Sequence, residues 1–186
     1  MYNTTLDRWE NNNEKIALRG KLAVDIMDNM TATLGISWSD LAQDGAGHQI
    51  RVWTDDVAFL YRLFDPMAEA DEFNNQNSLD TPGYVRRETV TTDLNVNWDL
   101  DNGASIDFVG GYSTFDDDVL FDADFGPGPI LTQDTFETYD QISAELRYTS
   151  EPGDWEYVTG LYYFRSTIDL ATTNDLLNTA SIVPVV

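Results

Sequence analysis

The sequence predicts an all-β fold, an antiparallel meander of about six long strands. Three observations carry that prediction. Apolar and polar residues alternate over long runs, the period of a strand whose two faces meet different surroundings. The runs come in pairs around short turn-forming stretches. Two long, polar connections separate one pair from the next.

Met1 to Asn13 is polar and Asn-rich and reads as a loop. Ile16, Leu18, Gly20, Leu22, Val24 and Ile26 then hold the even positions, with Arg19, Lys21 and Asp25 on odd ones. Asp28-Asn29 supplies turn chemistry, and Met30, Ala32, Leu34, Ile36 and Trp38 resume the alternation. This first hairpin covers about 15–40. Its arms of roughly ten residues match the ~9–11 of a tilted membrane-crossing strand.

The connection 41–83 is different. It opens on Asp44-Gly45-Ala46-Gly47 and closes on Pro82-Gly83. Apolar spacings of three and four predict a short helix from about Asp55 to Leu63, stopped by Asp65-Pro66. The second hairpin, about 88–115, sets Val90, Thr92, Leu94, Val96, Trp98 and Leu100 against Thr91, Asp93, Asn95, Asn97 and Asp99. It turns at Asp101-Asn102-Gly103 and returns through Ala104, Ile106, Phe108, Gly110 and Tyr112. A second, acidic connection spans 116–134. The third hairpin, about 135–170, carries Ile142, Ala144, Leu146 and Tyr148 on one face, with Gln141, Ser143, Glu145 and Arg147 on the other. After a break at Pro152-Gly153, Val158, Gly160, Tyr162, Phe164 and Ile168 share a face with few charges. Arg165, Thr167 and Asp169 take the opposite face, with Leu161 and Tyr163.

Short turns on one side and long loops on the other are the pattern of an outer-membrane barrel. Trp38, Trp98, Tyr112, Tyr148 and Trp155 fall near strand ends, where interfacial aromatics belong. No apolar run approaches the ~20 residues of a membrane-spanning helix, and the first residues do not read as a signal peptide. The 186-residue chain has no cysteine, so it carries no disulfide framework or thiolate metal centre. Ten basic residues face 33 acidic ones, and a net charge of -23 repels phosphate backbones, so nucleic acid is excluded as a partner.

Little in the chain points to bond-making chemistry, and the expectation is a protein that is not an enzyme and needs no cofactor. His48, the single histidine, reads as a loop residue. Asp116, Asp117, Asp118, Asp122 and Asp124 are weak candidates for gathering oxygen ligands around calcium, and their spacing does not fit an EF-hand.

The segment Gln141-Ile142-Ser143-Ala144-Glu145-Leu146-Arg147-Tyr148-Thr149-Ser150, followed by Trp155-Glu156-Tyr157-Val158-Thr159-Gly160-Leu161-Tyr162-Tyr163-Phe164, resembles the barrel of TonB-dependent receptors. Ala17-Leu18-Arg19-Gly20-Lys21-Leu22, Asn97-Trp98-Asp99-Leu100 and Gly111-Tyr112 look like further strands of that family. The resemblance implies a bacterial outer-membrane location and active uptake of a scarce ligand such as a ferric siderophore, haem, cobalamin or an oligosaccharide. It implies outer-membrane lipid as a partner. In a full-length receptor it also implies an energy-coupling inner-membrane protein and a small-molecule ligand. On the same footing Arg19, Lys21, Asp93, Asn95, Asn97, Glu145 and Arg147 would line the lumen.

The family closes ~22 strands around a plug. The sequence lacks a recognisable plug, an energy-coupling box and a C-terminal aromatic strand. The expectation is therefore an internal, open section of a large transmembrane barrel, one that does not transport by itself. The rival reading is a soluble, secreted β-sheet module that binds carbohydrate or calcium through its acidic loops. The two differ in one respect: a sandwich seals the apolar flank beneath a second sheet, and a barrel wall leaves it bare.

Overall fold

The computed structural model describes residues 1–45, 48–70 and 74–176. Ala46, Gly47, residues 71–73 and the tail 177–186, with the short terminal stretch Ser181 to Val186, lie outside the described residues.

The alternating runs form one six-stranded antiparallel sheet that is not closed. Two short strands precede it, β1 (Tyr2–Asn3) and β2 (Arg8–Trp9). The large sheet comprises β3 (Asn12–Met27), β4 (Met30–Asp44), β6 (Tyr84–Asp99), β7 (Ser105–Asp122), β8 (Leu131–Thr149) and β9 (Val158–Leu176), in that spatial order. The helix α1 (Asp55–Phe64) and a third short strand, β5 (Gln76–Asn77), lie in the connection from β4 to β6. This is the predicted all-β meander.

The three turns lie at one end, two of them tight. Met27 pairs with Met30 across Asp28-Asn29. At Gly103 the backbone takes φ of +87°, which a glycine adopts at no steric cost. There the Gly103 N–H donates to the Leu100 carbonyl at 2.9 Å, and the Leu100 N–H to that of Ala104 at 2.8 Å. The third turn is wider, with Trp155 in it, because β9 does not begin until Val158.

The strands run well past the apolar residues that reveal them. The connection expected over 116–134 shrinks to 123–130, since β7 continues to Asp122 and β8 starts at Leu131. Likewise β4 reaches Asp44 and β6 starts at Tyr84. Ladder hydrogen bonds need no greasy face, and these polar extensions carry cross-strand pairs of their own. Arg87 forms an ion pair with Asp117, and the Tyr84 hydroxyl donates to Asp118 at 3.3 Å.

The helix appears where its periodicity predicts, with Asp55 and Asp56 in its first turn. The Asp65 N–H closes it on the Tyr61 carbonyl at 2.9 Å. Met1 to Asn13 is not simply a loop, as the sequence suggests. Asn3 is fully buried: its Nδ2 donates to the Leu79 carbonyl at 2.9 Å, and its Oδ1 accepts the N–H groups of Thr5 and Leu6 at 3.0 Å. β1 pairs antiparallel with β2 and parallel with β5. Of the buried apolar side chains among the described residues, Ala58, Tyr61, Ala68 and Leu79 lie in the segments at the long-loop end, and Ala104 lies at the turn after β6.

Candidate functional site

The register of the large sheet sorts its side chains into two faces. Leu22, Leu34, Leu94, Gly110, Ala144 and Tyr163 stand in one row across all six strands. The row nearer the tight turns reads Val24, Ala32, Val96, Phe108, Leu146 and Leu161. Beyond it come Met30, Trp98, Ile106 and Tyr148. Toward the long loops the rows change character. Ile36, Thr92, Tyr112 and Ile142 lead to Trp38, Val90, Thr114 and Asp140, and then to Asp40, Glu88, Asp116 and Thr138.

This apolar band has no cover among the described residues. Leu22 is 61% exposed, Ile36 54% and Ile142 48%, fractions that a sealed sandwich face would not show. The aromatic residues mark its borders. At the tight-turn border Trp98 and Tyr148 flank Ile106 in one row, and Tyr157 tilts against Tyr148 at 6.0 Å. At the other border the polar tips of two rings point into the acidic rows. Trp38 Nε1 donates to Glu88 Oε1 at 2.6 Å, and the Tyr112 hydroxyl donates to Asp140 Oδ1 at 2.6 Å. Trp155 stands apart from both borders, in the turn, 87% exposed.

The opposite face is polar. Arg19, Lys21, Asp93, Asn95, Asn97, Glu145 and Arg147 all lie on it, as the alternation requires. Arg147 Nη2 sits 2.6 Å from Glu145 Oε1, and Asn97 Nδ2 donates to Asp107 Oδ1 at 2.7 Å. The Asp93 carboxylate leans over Gly35, filling the space a side chain there would need. One strand departs from this scheme. β9 pairs Leu146 with Leu161 and Glu145 with Tyr162, so Tyr162, Phe164, Ile168 and Leu170 join the polar face. The low-charge face of β9 is therefore turned away from the apolar band.

The five acids proposed as oxygen ligands do not converge. Asp116, Asp117 and Asp118 are consecutive on β7, and strand alternation sends Asp117 to the polar face and its neighbours to the other. Asp117 pairs with Arg87, and Asp118 accepts the Tyr84 hydroxyl at 3.3 Å. Asp122 and Asp124 do come together, and Asp80 joins them; one carboxylate oxygen from each lies within 4.8 Å of the other two. Asp80 is far away along the chain in the first long connection, so no local motif could have announced it.

Backbone donors already occupy this acidic group. Asp122 Oδ2 accepts the N–H groups of Asp80 at 3.1 Å and Thr81 at 3.3 Å, and its Oδ1 accepts that of Phe125 at 2.9 Å. Asp124 accepts from Gly126, Ile130 and Leu131 at 2.9, 3.1 and 2.7 Å. Phe125 is held at φ of 59°, and His48 stacks edge-on against the Phe121 and Phe125 rings, each 5.3 Å away. Burial, and next the Asp124 charge, push the Asp122 carboxyl up to about 7; the Thr81 N–H works against them. Burial also raises Asp124, opposed by its three backbone donors. The arrangement works as a clasp that ties the first long connection to the second. The Tyr61 hydroxyl completes the tie by donating to the Asp124 carbonyl at 2.7 Å.

No helix among the described residues is long and apolar enough to cross a membrane, which leaves crossing by strands open. No family model matches the chain, and no curated protein matches it either.

Proposed function

We propose that this chain is a section of the wall of a bacterial outer-membrane β-barrel, of the TonB-dependent receptor kind, serving active uptake of a scarce small molecule such as a ferric siderophore. One observation carries the reading: a bare apolar band crosses all six strands and is bordered at both edges by aromatic residues.

The dimensions support it. From Met30 to Trp38 the band runs roughly 27 Å along the strand at ~3.4 Å per residue. At a barrel tilt of ~40° that is about 21 Å of height, close to the ~25 Å of outer-membrane barrels. The hydrogen-bonded tips of Trp38 and Tyr112 fit the same picture, with ring bodies on hydrocarbon and polar atoms toward the headgroups. In this reading the polar face looks into the lumen, with Arg19, Lys21, Asp93, Asn95, Asn97, Glu145 and Arg147 along it. The open edges of β3 and β9 would be completed by further strands, with outer-membrane lipid as a partner. In a full-length receptor an energy-coupling inner-membrane protein and a small-molecule ligand would be partners too. The tight turns then face the periplasm and the clasped long connections face outward.

The test is insertion. The chain, unfolded in urea, is diluted into phosphatidylcholine vesicles with brominated acyl chains. Gain of β-sheet circular dichroism together with quenching of tryptophan fluorescence is the expected result. A chain that instead folds as a stable, monodisperse body in plain buffer and leaves the vesicles unbound overturns the reading.

A further inference from the structure

One cation on the apolar face is unexplained by anything above. Arg165 pairs with Ile142 in the ladder, and so belongs to the row that holds Ile36 and Tyr112. It is exposed, and its guanidinium has no ion pair or hydrogen bond among the described residues. The other base on this face, Arg86, lies beyond the band and is paired with Asp44 at 2.6 Å. A bare guanidinium facing hydrocarbon is destabilising unless an anion meets it.

The wall is dented one ladder row away, in a groove lined by Ile142, the ladder partner of Arg165, and by Tyr163, two residues before it. Gly110 and Ala144 are small where their neighbours are large, and Leu94, Phe108, Ile142 and Tyr163 rim the depression. The groove holds about 290 Å³ and its surface is almost wholly apolar. The Phe108 ring lies across Gly110, so close that a Cβ there would stand 3.1 Å from it.

We propose that Arg165 and the Gly110–Ala144 groove together bind an anionic lipid from the surrounding bilayer, with an acyl chain in the groove and its phosphate on the guanidinium. The inference rests on the membrane-wall reading. Charge selects the occupant. In a chain of net charge -23, a cation that has no ion pair or hydrogen bond among the described residues stands on the same face as a groove whose surface is almost wholly apolar. The arginine stem is long enough to lie on the wall and carry its head toward the border. The acids nearby do not neutralise it: Asp140 forms no ion pair with it and accepts the Tyr112 hydroxyl instead, and Asp169 lies farther toward the loops.

The test uses the full chain in neutral detergent micelles, titrated with brominated phosphatidylglycerol or brominated phosphatidylcholine, with quenching of tryptophan fluorescence as the readout. Trp38 and Trp98 are the reporters on this face. The expected result is a preference of about fivefold for the anionic lipid, the ratio that one cation near an anionic surface supplies. Arg165→Gln abolishes the preference and Arg165→Lys retains most of it. Gly110→Leu, which fills the groove, weakens both lipids alike. Equal quenching by the two lipids in the unaltered chain, or a preference that survives Arg165→Gln, overturns the proposal and leaves the membrane reading standing. Failure to take up either lipid overturns both. Sedimentation in the same micelles covers the remaining occupant: a dimer dissociated by Arg165→Gln, with no lipid preference, assigns the groove to a second copy of this chain.

Discussion

Asp122 shows how a single side chain gains a function from its position. In the sequence it is one acid among many near the end of an acidic run. In the fold it is buried, its oxygens hold three backbone N–H groups, and it keeps a proton up to about pH 7. An unfolded aspartate titrates near 4. Between about pH 4 and pH 7 the folded chain therefore binds a proton that the unfolded chain has released, and folding is favoured at the acid end of that window. The clasp is expected to loosen as pH rises through the window, by roughly 2–4 kcal/mol, and to change no further above it. Hydrogen exchange at Phe125, Ile130 and Leu131, corrected for intrinsic rates, reads this directly. Asp122→Asn, a neutral side chain with no proton to lose, is expected to flatten the pH dependence of that protection. A wild-type clasp that tightens toward neutral pH would contradict the assignment. Asp80, the third member, was illegible in the sequence, because a contact between two distant loops leaves no spacing to read.

At the scale of the strand, the question is which face meets which surroundings. Leu34 lies mid-band, between Leu22 and Leu94 in its row. Thr91 lies on the opposite face, between Ser37 and Ser113. Arginine at position 34 is expected to cost about 2–4 kcal/mol of vesicle-inserted stability, the penalty of a cation at a bilayer midplane. Thr91→Arg is expected to cost under about 0.5 kcal/mol, as polar-face substitutions do. Urea titration of the vesicle-bound chains compares the two, and equal costs would remove the distinction between the faces. For β3, β4, β6, β7 and β8 the faces were legible from alternation alone, since each strand has one clearly greasier side. β9 was not. Leu161 and Tyr163 on one side and Tyr162, Phe164 and Ile168 on the other are both apolar, so its pattern does not say which side faces out. The register against β8 decides it, and a shift of one residue would reverse every side chain.

Across the whole molecule, two long strands stand at open edges. Among the described residues β3 and β9 each offer a row of backbone groups with no strand partner beside an exposed apolar surface, a template for association. What opposes association is the net charge of -23. In detergent-free buffer, aggregation is thus expected to accelerate with salt, severalfold between ~0.01 and ~0.15 M, as the Debye length falls from about 30 to about 8 Å. Light scattering against ionic strength measures it, and a rate indifferent to salt would show that the charge does not restrain the edges.

By itself the sequence determined the meander, the three turns, the helix in the first connection and the two-faced character of most strands. These follow from local periodicity and turn chemistry, which act over a few residues and are written in order along the chain. The tertiary structure alone decided how far the strands extend, which way β9 faces, and that Asp80 meets Asp122 and Asp124. It also set Arg165 one ladder row from the groove. Each of these depends on which residues the backbone ladder and the folded loops bring together across long separations, and side-chain identity along one segment carries no record of that pairing.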